Sequence, residues 1–112
     1  MYTIKLIEHY KETTFFRSLP SVFYLAEEKG EEGIIFSTLE GLERFEDRSP
    51  ILFPTKLIAR IKFNYYISMY KDQELYEDDG FNNKESSVSR EVFRIVRWED
   101  ISDIKKHYYS KK

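Results

Sequence analysis

The chain has no cysteine among its 112 residues. That absence removes disulfides, thiolate metal ligands and cysteine nucleophiles together, and it suits a reducing, cytoplasmic setting. Glycine (four) and proline (three) are scarce. Phosphate-cradling loops therefore have little to build on, and neither G-x-x-x-x-G-K-S/T nor G-x-G-x-x-G occurs. Histidine is rarer still. His9 and His107 stand near opposite ends, in no spacing that suggests a metal site or a Ser-His pair. No run approaches the roughly 18 consecutive apolar residues of a spanning helix. The start, Tyr2-Thr3-Ile4-Lys5-Leu6, alternates instead of setting an apolar block behind a basic segment. The expectation is a cytoplasmic protein without membrane contact, folded as a single domain over residues 1–112.

Carboxylates do not restore a catalytic reading. Glu27-Glu28-Lys29 has the E-x-K form of many metal-dependent nucleases, but no Pro-Asp or equivalent stands upstream to help hold Mg²⁺ on a phosphate. Glu77, Asp78 and Asp79 with Asn82 and Asn83 lack the alternating rhythm and closing Glu of a calcium loop, and read as a solvated loop. No catalytic residue, metal or cofactor is expected, and the protein is read as a non-enzyme.

Against these scarcities stand 17% aromatic residues, nine of them Tyr and nine Phe. Rings pack well on pleated surfaces and favour strands. So many are also more than a chain this short readily hides, and Phe15-Phe16, Tyr65-Tyr66 and Tyr108-Tyr109 are candidates for exposure. The formal net charge is −2, but it is unevenly placed. Residues 1–50 carry net −4, 51–70 net +3 with no acid, 71–87 net −4, and 88–112 net +3.

Alternation makes residues 2–9 a first strand, with Tyr2, Ile4 and Leu6 on one face. Ser21–Glu27 and Gly33–Ser37 flank a short Gly-containing loop and read as a β-hairpin. A short helix through Val22 to Lys29 is the rival there. Ser37-Thr38-Leu39-Glu40 has capping-box form and starts a short helix near 38–46, which Asp47-Arg48-Ser49-Pro50 ends. Between Lys56 and Tyr70 every odd position from 57 to 69 is apolar, which predicts a strand. A helix there would be apolar on nearly all sides. Fifteen strand residues would nevertheless reach about 50 Å, so the strand must curl, bulge or break. Val88–Trp98 is a further strand, and Asp100 opens a C-terminal helix with Asp103 in capping-box position.

The fold class expected is α+β: a mainly antiparallel sheet of about five strands, a short middle helix and a C-terminal helix. The function expected is non-catalytic protein binding, as a small inhibitor or adaptor. A composition rich in Lys, Glu, Ile, Tyr and Phe fits a phage or bacterial AT-rich genome. The partner-binding residues expected are Arg60, Lys62, Tyr66, Tyr70, Arg94 and Tyr109, because Tyr and Arg dominate interface hot spots. An unknown protein is the first partner expected, with a second copy of the chain among the candidates. The alternative is nucleic-acid binding by a basic, aromatic strand face over residues 56–70, with cations on phosphates and rings on bases. Trp98 shares its register with Val92 and Val96, and reads as core.

Overall fold

The computed structural model describes residues 1–11, 19–77 and 88–101, with residues 74–77 described by backbone alone. The expected C-terminal helix, Tyr109 and the expected loop beyond Glu77 lie outside the described residues, while Glu77 itself is helical and not loop.

Five strands make an antiparallel sheet: β1 (Tyr2–Tyr10), β2 (Ser21–Glu28), β3 (Ile35–Ser37), β4 (Arg48–Pro50) and β5 (Val88–Arg97). Among the described residues two helices accompany it, α1 (Leu39–Arg44) and α2 (Lys56–Glu77), with a 3-10 turn at Trp98–Asp100. The order across the sheet is β3-β2-β1-β5, and β4 also pairs with β2. Residues 21–28 are thus strand, as the hairpin reading expected, and the rival helix is absent. The register sets Lys5 opposite both Tyr24 and Arg94, and Leu6 opposite both Phe23 and Phe93. Ile4 and Leu6 are accordingly buried on one face of β1, where period-two alternation places them.

The end of β2 bends away from β1, and the chain from 48 to 53 fills the fork. Arg48, Ser49 and Pro50 pair with Glu28, Glu27 and Ala26. Tyr2 and Phe53 then exchange both backbone hydrogen bonds, at 2.8 and 2.7 Å. Asp47-Arg48-Ser49-Pro50 does not end the helix, which stops at Arg44 with Phe45 as its cap; Arg48–Pro50 is a strand instead. Helix α1 starts one residue later than the capping-box reading. Thr38, not Ser37, accepts the Gly41 N–H at 3.0 Å.

The largest correction concerns residues 56–70, which are helical and not a strand. Thr55 gives the helix its start: its Oγ1 accepts the Ile58 N–H at 3.1 Å, and its carbonyl accepts the Ala59 N–H at 3.1 Å. Length decides the matter physically. A 22-residue helix is about 33 Å long and fits a molecule whose longest extent is 40 Å, whereas the strand would not.

The sheet carries a core on each face. One holds Ile4, Leu25, Ile34, Phe53 and Ala59, with α2 laid over it. The other holds Tyr24, Ala26 and Leu42, closed by α1, Trp98 and Ile101. The sheet curls strongly on the α2 side. Phe36 of the β3 edge and Phe93 of the β5 edge lie 5.8 Å apart, with Tyr70 against both.

Candidate interaction surface on the long helix

Helical periodicity sorts α2 into two faces. Ala59, Phe63, Tyr66 and Tyr70 recur at spacings of three and four and meet the sheet. Ala59 is fully buried, which lets the helix approach closely. Tyr66 lies 5.8 Å from Phe53, and Tyr70 lies 4.8 Å from Phe36. Burial pushes the Tyr66 phenol above its ordinary range, and the charges of Tyr65 and Glu27 push the same way. One turn on, Gln73 fastens the helix to the sheet edge. Its Nε2 donates to the Ile34 carbonyl at 2.9 Å, and its Oε1 accepts the Ile34 N–H at 3.0 Å.

The opposite face is apolar and uncovered. Leu57, Ile61 and Tyr65, four residues apart, are 65%, 67% and 57% exposed, and Ile58 lies beside them. Four large apolar side chains on one helix surface differ from the single exposed residues that ordinary surfaces carry. Further along, Asn64, Tyr65, Ser68, Met69 and Asp72 line a shallow groove that continues the stripe. Arg60 and Lys62 are exposed to either side of Ile61, about 100° before and after it around the helix. Lys56 is exposed one turn before Arg60. Among the described residues none of these three cations forms an ion pair.

The five expected residues that are described do not all gather here. Arg60 and Lys62 do. Tyr66 and Tyr70 turn inward, because a helix separates what a strand would have put on one face. Arg94 is exposed on β5 at the register of Lys5, beside Val92 and Val96 and across the sheet from Phe93 and α2. The interleaved strand face over 56–70 therefore does not exist. The strand reading put Leu57 and Ile61 on its apolar face, with Ala59 and Phe63. The signal that could have exposed them was already present, since a helix apolar on nearly all sides must bury its second face in something. Trp98 packs edge-on against Tyr24, with ring centroids 6.1 Å apart, as its core reading expected.

Chemistry-bearing clusters are sparse. Among the described residues no group of three His, Asp or Glu is placed to hold a metal. Glu27 and Lys29 are exposed at the end of β2. Comparison with family models, with curated proteins and with solved structures finds no match. The candidate surface therefore stands on geometry alone.

Proposed function

We propose that this protein acts without catalysis, as a small cytoplasmic inhibitor or adaptor that binds another protein through the outer face of α2. The observation that carries the reading is the exposed stripe of Leu57, Ile58, Ile61 and Tyr65. Covering such side chains contributes up to about 1.5–3 kcal/mol each, and an aromatic among them is a typical interface anchor. Arg60 and Lys62 supply a charged rim that sets orientation and steers encounter. A cysteine-free chain suits the reducing compartment. No helix among the described residues is long and apolar enough to cross a membrane.

Nucleic-acid binding receives less support from this surface. Tyr66 and Tyr70 are committed to the core, so one exposed ring and three cations remain, and the stripe between them offers phosphates nothing.

The test compares two baits in lysate of the cells that make the protein: the wild type and L57Q/I61Q, each with and without nuclease treatment. Retention of a stoichiometric protein by the wild type, and its loss from L57Q/I61Q, is the expected result. Equal recovery on both baits, or a partner that disappears with nuclease, would overturn the reading.

A further inference from the structure

We infer that the α2 stripe is built to receive an acidic amphipathic helix of another protein; the inference rests on the protein-binding reading above and names the chemistry of the partner. Three observations point to it.

The first is charge. No acid occurs between Arg48 and Lys71, and within that span Lys56, Arg60 and Lys62 surround the exposed apolar residues. None of the three forms an ion pair among the described residues. A partner that covers Ile61 must pass between Arg60 and Lys62, and carboxylates on its flanks would meet both.

The second is the helix itself. Helices favour acids in the first turn, where their dipole is positive. The first turn of α2 has none, while Lys56 within it and Arg60 one turn on add positive charge. The basic end is unfavourable for α2 alone and is offset by an acidic neighbour.

The third is hydrogen bonding. Beyond its first turn a helix such as α2 satisfies its backbone N–H groups internally, so its surface offers no ladder to an extended chain. A segment lying on Leu57, Ile61 and Tyr65 must therefore satisfy its own backbone, which a helix does. Residues four apart also form a ridge along the axis that fits between the side-chain rows of a second helix.

A second copy fits less well. An antiparallel α2 pair centred on Ile61 would bring Arg60 and Lys62 of the two copies together. An anionic bilayer also fits less well, because Lys56, Arg60 and Lys62 fall short of the roughly four to eight cations that such surfaces gather.

A phage-displayed library of helix-forming peptides tests this, selected on the wild type with counter-selection on L57Q/I61Q. The expected clones carry apolar residues at i, i+3 or i+4, and i+7, flanked by Asp and Glu. Synthetic copies of them should bind at least tenfold more weakly to L57Q/I61Q, and also to K56E/R60E/K62E. Enrichment of basic, neutral or extended peptides that still depend on Leu57 and Ile61 would overturn the inference and leave the protein-binding reading standing. So would a stripe-dependent dimer in sedimentation equilibrium. If no clone depends on the stripe, both are overturned. Cosedimentation with phosphatidylserine vesicles, lost in L57Q/I61Q, would assign the face to a bilayer and also overturn both.

Discussion

Gln73 does for α2 what a strand would do for a sheet edge, since one side-chain amide occupies both backbone groups of Ile34. Replacing it with Leu leaves a buried donor and acceptor unpaired, at a cost of about 1–3 kcal/mol each. Gln73→Leu should therefore lower the thermal midpoint clearly. Gly33 shares the device. Its φ of 89° suits glycine, and a Cβ there would stand 2.8 Å from the Gln73 Oε1. Gly33→Ala should consequently destabilise as well, and the double variant should lose less than the sum of the two, read from denaturant midpoints. Two titrations also belong at this scale. Tyr66 has a raised pKa, so its folded form holds a proton that the unfolded chain gives up more readily. Its contribution is fully present below the ordinary phenol range and is lost as pH rises through the raised value. Tyr66→Phe should flatten the alkaline fall in thermal midpoint. Glu99 is the opposite case. Its hydrogen bond from the Met1 ammonium, followed by one from backbone, holds its carboxyl below the usual range. That contribution is present above the unfolded carboxylate pKa and fades as pH drops through the lowered one. Glu99→Gln should remove part of the acid sensitivity.

Elements show where a sequence speaks and where it misleads. Both β1 and β5 were legible, because Ile4 and Leu6 in one and Phe93 and Ile95 in the other recur every second residue on one face. The β2–β3 hairpin was legible from its loop. By contrast β4 was hidden, since three residues carry no period, and its strand identity comes from the fork that β2 leaves open. The segment 56–70 misled for a physical reason. Apolar residues on the outer face of α2 added to those on its inner face and imitated alternation. The strand reading and the exposed helix face therefore share one cause, since Leu57, Ile61 and Tyr65, three of the four stripe residues, stand at odd positions. Arg60 and Lys62 of that site were legible as exposed cations, whereas Leu57 and Ile61 were not, because apolar residues are read as core by default. The sorting has a direct check. L57Q/I61Q should shift folding stability by no more than about 0.5 kcal/mol per site, while Ala59→Leu, which overpacks the helix–sheet contact, should cost about 1–3 kcal/mol. Helix α1 gives a sharper contrast. Propensity alone says Gly41→Ala stabilises by about 1 kcal/mol. The structure says otherwise, because a Cβ there would stand 2.6 Å from Ser37 Oγ and 2.8 Å from Arg48 Nη1. The variant should melt lower than the wild type.

Taken whole, the molecule covers its sheet on both faces and leaves one long helix half dressed. The α1 side is closed by side chains of this chain, while the outer side of α2 is exposed. Side-chain accessibility in a complex reads this division most directly. Hydroxyl-radical footprinting of the protein, free and bound to the partner it captures, reports Leu57, Ile61 and Tyr65 together. Phe45 and Leu19 serve as exposed references elsewhere, 47% and 86% accessible. The account expects modification of the three α2 residues to fall several-fold on binding while Phe45 and Leu19 stay unchanged. Protection confined to Arg94 and its neighbours on β5, with the α2 residues as reactive as in the free protein, would contradict it.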